Sequence, residues 1–308
     1  MDESPTVSVV IPVRNGEPFL RQCLDSALTQ TRPPMEVVVV DDGSTDGTAE
    51  ILREYQGKVT VLEQENRGQG AAVNRAVAYS RGELIAFLDC DDCWDPGKLE
   101  RQVAVLERFP EAVAVYCDHR RIDPSGTTMG RTGALAHPRT SGQVLEALIR
   151  GNFIISPSVV MIRAKAFHAA GRFDEDHRDL GSKDYGLWLR LAALGPFIYL
   201  AETLASYRQH ANNMSGTFGF RRIVCDLAAL QSLAPFLAHA DQRTRVDYNR
   251  RMLDLTLGAA WYCATEGHRI DSLRYYFHAL RMSPLSLRVW LRTGLALTPL
   301  RRSRRRQG

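Results

Sequence analysis

The sequence predicts an α/β fold in which a mostly parallel sheet is flanked by helices and followed by a C-terminal helical extension. Two observations lead to this prediction. Short apolar runs alternate with amphipathic segments over roughly the first two thirds of the 308 residues, as strands and helices do in α/β proteins. After about residue 220 the sequence becomes rich in Leu, Ala and Arg and has no further strand pattern.

The predicted elements follow one another in a regular order. Strands are predicted at residues 7–13, 36–40, 59–62, 84–88, 113–117, 158–162 and 197–200. Helices are predicted at about residues 18–28, 48–55, 71–79, 96–109, 144–149, 165–170 and 183–194. The change of composition predicts a first domain over residues 1–215, with halves of about 1–118 and 119–215, and a helical region over 216–308.

The charges are distributed unevenly along the chain. From residue 272 onward there are nine Arg and no Asp or Glu, and the rest of the chain carries 30 Lys and Arg against 35 Asp and Glu. A basic tail on an acidic body predicts an anionic partner, either a membrane or a nucleic acid. Because aromatic residues are not interleaved through a basic groove, we expect no nucleic acid as a partner.

The basic tail has the composition of an interfacial helix. Trp290 and several Leu residues alternate with Arg288 and Arg292 over residues 285–297, which suits a helix lying on anionic lipid. The alternative is a helix packed against the body with an arginine-rich end at residues 301–306.

The cysteines and the apolar runs predict the compartment. The six Cys, at positions 23, 90, 93, 117, 225 and 263, are scattered, and the close pair Cys90 and Cys93 has no second pair to complete a zinc site. No charged-then-apolar leader follows Met1, and no apolar run reaches the ~18 residues of a membrane span. We therefore expect reduced thiols in a cytoplasmic protein, held at the cytoplasmic face of the membrane through its tail.

The stretch LIAFLDCDDCW, residues 84–94, joins a predicted strand to three carboxylates, Asp89, Asp91 and Asp92. Ionised carboxylates this close repel one another unless a cation joins them, and Mg²⁺ and Mn²⁺ prefer oxygen ligands. The stretch therefore predicts a metal–diphosphate site, the alternative being an acidic turn before the next helix. Polar clusters at residues 14–17 and 41–44 also follow predicted strands. Because ligands bind at the carboxyl ends of parallel strands, this convergence favours the site.

Six stretches, taken together and in order, resemble the family 2 glycosyltransferases, which are inverting enzymes with the GT-A fold. They cover about residues 5–215 and read VSVVIPVRNGE, VVVVDDGSTDGT, ENRGQGAAVNRAV, GELIAFLDCDDCW, FDEDHRDLGSKDYGLWLRLAALG and ASYRQHANNMS. The resemblance implies a Rossmann-like nucleotide-binding sheet. It also implies metal-dependent, inverting transfer of a sugar from a nucleotide-sugar, commonly UDP-linked, to a hydroxyl acceptor in polysaccharide, glycolipid or glycoconjugate synthesis.

The resemblance assigns one group of residues to the nucleotide-sugar. Asp42 corresponds to the aspartate that hydrogen-bonds the base, although an Asp before Gly43 is also a common turn residue. In this chain Val73 precedes Asn74 where many members have Arg, which weakens the expected phosphate contact there. The complete nucleotide-sugar set is Pro12, Val13, Glu17, Asp42, Arg67, Gly68, Asn74, Asp89, Cys90, Asp91 and Arg208.

The resemblance assigns a second group to the metal. Asp89-Cys90-Asp91 matches the DXD motif, in which Asp91 would bind Mn²⁺ or Mg²⁺ and Asp89 would lie nearer the ribose or a bridging water. His210 falls where some members add a histidine to the metal or phosphate site, although a single His is more often structural. Arg208 is expected to reach a phosphate, and Asp92 to support the turn.

Asp184 matches the catalytic base, because an inverting transferase needs one carboxylate to take the proton of the acceptor hydroxyl. The alternative role is a helix N-cap. Many members have Glu immediately before this Asp, whereas this chain has Lys183, a cation that would lower the Asp184 pKa.

The acceptor is expected to be a saccharide, a lipid-linked molecule or another hydroxyl compound, contacted by residues 120–138 and 151–158. Two other functions stay open at this point. A nucleotidyltransferase could use a similar sheet, but residues 14–17 lack its Gly-rich, basic triphosphate loop. A non-catalytic relative is favoured only by Lys183.

Overall fold

The computed structural model describes residues 4–129, 140–175, 183–211, 213, 219–238 and 240–297. Its described part contains one eight-stranded sheet with the order β3-β2-β1-β4-β7-β6-β8-β5. The strands are β1 Val7–Val13, β2 Glu36–Asp41, β3 Thr60–Glu63, β4 Leu84–Phe87, β5 Cys93–Trp94, β6 Ala114–Ile122, β7 Val160–Arg163 and β8 Phe197–Arg208.

The helices surround this sheet and form the C-terminal region. They are α1 Leu20–Leu28, α2 Thr48–Glu54, α3 Gln69–Tyr79, α4 Lys98–Arg108, α5 Leu145–Arg150, α6 Ala164–Ala169, α7 Lys183–Leu194, α8 Phe220–Leu233, α9 Gln242–Thr265, α10 Arg269–Met282 and α11 Leu287–Leu297. Short 3₁₀ helices lie at Pro157–Val159 and Ala234–Leu237.

The first half of the sheet is parallel, as predicted. Strands β3, β2, β1 and β4 pair side by side in one direction and are connected through α1, α2 and α3. All seven residues of β1 and the four valines of β2 are buried, which is typical of strands covered by helices on both faces. The carboxyl ends of β1, β2 and β4 therefore lie along one edge of the sheet.

The second half of the sheet is mixed. Strand β7 pairs antiparallel with both β4 and β6, β5 pairs antiparallel with β8, and β6 pairs parallel with β8. Four of the seven strand pairings among the described residues are therefore parallel. The prediction of a mostly parallel sheet holds for the first half, and the insertion of β7 between β4 and β6 limits it in the second.

Three strands, β6, β7 and β8, differ from their predicted bounds by more than one residue at one end. Strand β6 continues to Ile122 and β8 to Arg208 because residues 118–122 of β6 pair with residues 203–208 of β8 after a bulge at Cys117–His119. These segments are polar and have no apolar alternation, so the sequence pattern did not reveal them. The two-residue strand β5 was not predicted, and the predicted strand at 158–162 begins as a 3₁₀ helix.

The first two helices of the C-terminal region share the core of the sheet. Leu227, Leu230 and Leu233 of α8 and Met252 and Leu255 of α9 belong to the same buried cluster as the sheet residues. A second, smaller cluster joins α9, α10 and α11 through Leu257, Ala260, Tyr276, Ala279 and Val289. None of the described helices is long and apolar enough to cross a membrane.

Replacing a core residue of α8 tests whether the helical region unfolds together with the sheet. Leu230 is 0% exposed within the shared core, so Leu230→Ala is expected to lower the free energy of unfolding by about 2–5 kcal/mol in a single urea transition. Leu285→Ala, at a residue 97% exposed, is the control and should change stability by less than ~0.5 kcal/mol. A separate, early transition of the helical region alone would contradict the shared core.

Candidate active site

The polar ends of β1 and β2 are joined by hydrogen bonds. The backbone N–H of Asn15 donates to Ser44 Oγ over 2.9 Å, and that of Gly16 donates to Thr48 Oγ1 over 2.9 Å. Asn15 adopts a left-handed φ of 54°, and its Oδ1 accepts from the Thr45 N–H over 2.8 Å. The two predicted polar clusters therefore form one surface at the carboxyl edge of the sheet.

Pro12, Val13 and Glu17 lie at this edge. Pro12 and Val13 are buried at the end of β1, whereas Glu17 is exposed in the turn that follows. The Glu17 carboxylate accepts from the Gly47 N–H over 2.9 Å. A Cβ on Gly47 would stand 2.7 Å from that carboxylate, so a larger residue here would displace the Glu17 side chain. Glu17 thus joins the turn after β1 to the start of α2, and its nucleoside contact stays a prediction.

The Asp42 carboxylate fixes the loop that begins α3. Its Oδ1 accepts from Gln64 Nε2 over 2.8 Å and from the Arg67 N–H over 2.7 Å, and its Oδ2 accepts from the Gly68 N–H over 2.8 Å. The side chain is buried. Asp42 is therefore an internal anchor in this structure, and the predicted contact with the base stays a prediction.

Asn74 pairs with Phe173 and Glu175 in this structure, and its nucleotide contact stays a prediction. Its Nδ2 donates to Phe173 O over 2.9 Å and to Glu175 Oε1 over 2.8 Å, and its Oδ1 accepts from the Phe173 N–H over 3.0 Å. Because the amide is buried and fully paired, no donor is left for a phosphate. Arg67 forms an ion pair with the same Glu175 at 3.0 Å, on the exposed side of the segment.

The three carboxylates of the acidic turn have different surroundings. Asp92 is fully buried, with Oδ1 accepting from the Arg208 N–H over 3.0 Å and Oδ2 accepting from Ser156 Oγ over 3.0 Å. Asp89 is partly buried and accepts from Gln69 Nε2 over 2.8 Å. Asp92 therefore supports the turn, as expected, while Asp89 and Asp91 remain partly accessible beside Cys90.

Burial and mutual repulsion raise the pKa values in this turn. Burial, followed by the charges of Asp92, Asp91 and Asp184, raises the pKa of Asp89 well above its usual range. Burial and the charge of Asp91 raise the pKa of Asp92 to about 7. The contribution of Asp184 to the raised pKa of Asp89 indicates that the expected base lies near the acidic turn. An added cation would stabilise the ionised forms of Asp89 and Asp92.

Asp91 and His210 lie together at the open side of the turn. His210 Nε2 stands 2.9 Å from Asp91 Oδ2, and its ring packs against Phe19 with the centroids 5.0 Å apart. Among the described residues, no group of three or more His, Cys, Asp or Glu side chains is placed to hold a metal ion. Asp91 and His210 are the two described residues that lie together here, and the metal ligation predicted for Asp91, Asp89 and His210 stays a prediction.

Arg208 is buried and pairs with other parts of the protein in this structure. Its guanidinium lies over the Phe19 ring, 4.7 Å from the centroid, and is fully buried. All five of its N–H groups are used. Their acceptors are Asp91 O, Asp123 O, Pro124 O, Gln22 Oε1 and Cys93 Sγ, at 2.8, 3.1, 3.0, 2.6 and 3.5 Å. A phosphate would have to displace one of these partners, and the expected phosphate contact of Arg208 stays a prediction.

Ser156 and Ser158 support the acidic turn, although the sequence predicted that residues 151–158 contact the acceptor. Ser156 binds Asp92, and Ser158 Oγ accepts from the Asp89 N–H over 3.0 Å. The Ser-Pro-Ser sequence does signal the N-cap of a short helix, and Ser156 Oγ accepts from the Ser158 N–H. Nothing in the linear sequence indicated that this cap faces the acidic turn. Of the other predicted acceptor stretch, residues 120–122 belong to β6, and residues 130–138 lie outside the described residues.

Asp184 lies in the first turn of α7 and is held by the core. Its Oδ2 accepts from Trp188 Nε1 over 3.3 Å, and the fully buried Trp188 ring meets Phe87 of β4 edge-on at 5.9 Å. Burial raises the pKa of Asp184 to about 6. The Lys183 side chain, expected to lower that pKa, lies outside the described side chains.

In open α/β sheets, ligands bind at the carboxyl ends of the parallel strands, which is where the acidic turn lies. A family model described as "Glycosyl transferase family 2" matches residues 8–170, more than half of the 308 residues. The chain therefore belongs to glycosyltransferase family 2 and is a glycosyltransferase, which excludes the nucleotidyltransferase alternative.

Relatives with similar sequences carry consistent names. An uncharacterized glycosyltransferase of Rickettsia prowazekii is 32% identical over 221 residues, covering 70% of this chain and 67% of the relative. Chondroitin synthase of Escherichia coli is 32% identical over 215 residues, covering 68% of this chain. This chain spans only 30% of that synthase, so the match concerns one region of a much longer protein.

Solved structures confirm the GT-A fold. The complex of S. aureus TarS residues 1–349 with UDP-GlcNAc superimposes with a TM-score of 0.66 at 18% identity, covering 92% of this chain and 82% of that chain. The mannosyltransferase PcManGT of Pyrobaculum calidifontis, in complex with GDP-Man and Mn²⁺, gives a TM-score of 0.60 at 22% identity, covering 96% of this chain and 81% of that chain.

Arg208→Lys tests whether the buried guanidinium holds the acidic turn. Lysine keeps the charge but supplies three donors in place of five, which leaves buried acceptors unpaired. We expect the free energy of unfolding to fall by about 3 kcal/mol or more, measured by urea denaturation. The control is Arg101→Lys, at an exposed ion pair with Glu202 at 3.8 Å, which should change stability by less than ~0.5 kcal/mol. Equal, small effects of both substitutions would show that Arg208 is dispensable.

Proposed function

We propose that this glycosyltransferase moves a sugar from a UDP-sugar to a hydroxyl group of a saccharide acceptor, with inversion at the anomeric carbon and with a divalent cation. The observation that carries the proposal is that the Asp184 carboxylate binds Trp188, whose ring packs against Phe87 of β4, the strand that leads into the acidic turn. The charge of Asp184 also contributes to the raised pKa of Asp89, which supports a position near that turn. A displacement reaction needs one carboxylate for the acceptor and separate groups for the leaving diphosphate.

Asp184 is the proposed general base. In a single displacement the acceptor oxygen bonds to the anomeric carbon while the bond from that carbon to the diphosphate oxygen breaks, and the hydroxyl proton passes to the base. A carboxylate with a pKa of about 6 is ionised at neutral pH and is more basic than an ordinary Asp. The hydrogen bond from Trp188 Nε1 to Oδ2 fixes its orientation, so one carboxylate oxygen remains for the acceptor.

Asp91 and His210 are the residues that fit a divalent cation. Neighbouring ligand atoms around an octahedral ion stand about 3 Å apart, and the separation of Asp91 Oδ2 and His210 Nε2 is 2.9 Å. A carboxylate oxygen and an imidazole nitrogen together suit Mn²⁺ better than Mg²⁺. A bound cation would neutralise the charge that develops on the leaving diphosphate. The Mn²⁺ named in the PcManGT complex supports this choice.

The identities of donor and acceptor rest on the relatives. The TarS complex contains UDP-GlcNAc, which supports a UDP-linked donor. The chondroitin synthase name supports a saccharide acceptor and a role in polysaccharide synthesis. All six cysteines are free thiols, which supports the expected cytoplasmic location.

Asp184→Asn tests the base. The amide oxygen can still accept from Trp188, so the fold should be kept while the turnover number falls roughly 10²–10⁴-fold at an unchanged donor KM. Wild-type kcat/KM should rise about tenfold per pH unit up to about 6 and then level off, because the base works only when deprotonated. The rise of kcat/KM with pH should be absent for Asp184→Asn.

The control for the base is Asp271→Asn, at an exposed carboxylate of α10. Its rate should stay within about twofold of the wild-type rate, as is usual for a surface change away from the chemistry. Transfer at the wild-type rate by the Asp184 variant would remove Asp184 from the mechanism.

A thermal-shift panel of nucleotide-sugars, including UDP-GlcNAc and GDP-Man, tests the donor and the cation together. A UDP-sugar at about 100 times its Kd should stabilise the protein by about 2.7 kcal/mol, and only when Mn²⁺ is present. Asp91→Asn and His210→Gln should each lose most of the stabilisation that UDP-sugar gives in the presence of Mn²⁺. His278→Gln, at an exposed histidine of α10, is the matched control. A full shift in EDTA, together with transfer that survives chelation, would contradict metal dependence.

A further inference from the structure

The last helices of the chain expose a concentration of apolar side chains. Twelve large apolar residues are exposed in the described part of the chain, and seven of them lie between residues 261 and 291. Those seven are Trp261, Ile270, Phe277, Leu285, Leu287, Trp290 and Leu291. Single exposed apolar residues are common on protein surfaces, but a local concentration marks an interaction surface.

Helix α11 has one side buried against the protein and another side that exposes large apolar residues. Val289 and Thr293, four residues apart, are buried against the protein. Leu287, Trp290 and Leu291 have the i, i+3, i+4 spacing of one helix face and are 71%, 56% and 59% exposed. The helix is therefore anchored by one side and directs a stripe of large apolar groups outward.

Arginines border these stripes. Arg288 and Arg292 are exposed beside the apolar stripe of α11. On α10, Ile270, Arg274, Phe277 and Arg281 follow one another at spacings of four, three and four, which puts them on one exposed side of the helix. From residue 272 to the end the sequence holds nine Arg and no acid. The acids that pair with Arg274 and Arg288, Asp271 and Asp254, both precede that segment.

We propose that the exposed faces of α10 and α11 dock onto an anionic lipid bilayer. Leu and Trp side chains enter the boundary between headgroups and acyl chains, and arginines at the same level bind lipid phosphates. A second copy of this chain would bury the same apolar area but would bring the two arginine-rich surfaces together, and this repulsion favours the lipid as the occupant. Docking is independent of the proposed donor and of the reaction.

The test uses the full chain and two kinds of vesicle, phosphatidylcholine alone and phosphatidylcholine mixed with phosphatidylglycerol. The protein should sediment with the anionic vesicles, less with the neutral ones, and less as salt is raised. The triple variant Leu287→Ser, Trp290→Ser, Leu291→Ser should lower the partition coefficient at least about tenfold. The control triple Met35→Ser, Tyr79→Ser, Val246→Ser, at exposed apolar residues elsewhere, should stay within about twofold.

A second variant tests the contribution of the arginines separately from that of the apolar residues. Arg281→Gln with Arg292→Gln leaves the apolar stripe of α11 intact and should weaken binding to anionic vesicles only. Equal binding to both kinds of vesicle, or unchanged binding by the apolar triple variant, would overturn the proposal. So would an absence of vesicle binding combined with a wild-type dimer that the triple variant dissociates, which would identify a second copy as the occupant. The Mn²⁺-dependent shift by UDP-sugar should be the same in all of these variants.

Discussion

Repulsion among three carboxylates in one turn is the constraint on which the rest of the site depends. Among the described side chains, no Lys or Arg forms an ion pair with the carboxylate of Asp89 or Asp92. Arg208 is buried beneath the turn, yet its guanidinium binds the Asp91 carbonyl oxygen and two loop carbonyls, and its backbone N–H binds Asp92. Arg208 thus holds the turn from beneath, and a divalent ion at the outer side of the turn would balance the charge of the ionised carboxylates there.

Neighbouring residues of the same type acquire different roles from their environments. Asp92 is buried among hydrogen-bond donors and supports the turn, Asp89 is destabilised as an anion by its neighbours, and Asp91 is partly exposed beside His210. Asp184 is separated from them along the chain but is held through Trp188 and Phe87 against the strand that precedes the turn. One packed aromatic contact therefore connects the proposed base with the proposed leaving-group side.

The helices of the C-terminal region fall into two pairs, one packed in the core and one with exposed apolar residues. Helices α8 and α9 complete the core beneath α5 and α7, whereas α10 and α11 rest on α9 through a small cluster and leave apolar stripes outside. Composition alone could not separate these roles, because Leu, Ala and Arg dominate throughout the region. Burial separates them, since Val289 is covered and Leu287 is not.

The sequence by itself determined the parallel half of the sheet, the helices and the polar edge, because these depend on local periodicity and on residues at the ends of adjacent strands. It also determined the family and indicated that His210 and Asp91 belong together. The tertiary structure decided the extended pairing of β6 with β8, the position of β7 and the roles of Asn74, Arg208 and Ser156. Each of these depends on partners between 44 and 186 residues away, as the contacts of Ser156 with Asp92 and of Arg208 with Gln22 illustrate. Only the folded chain brings such partners within hydrogen-bonding distance, and no local pattern encodes them.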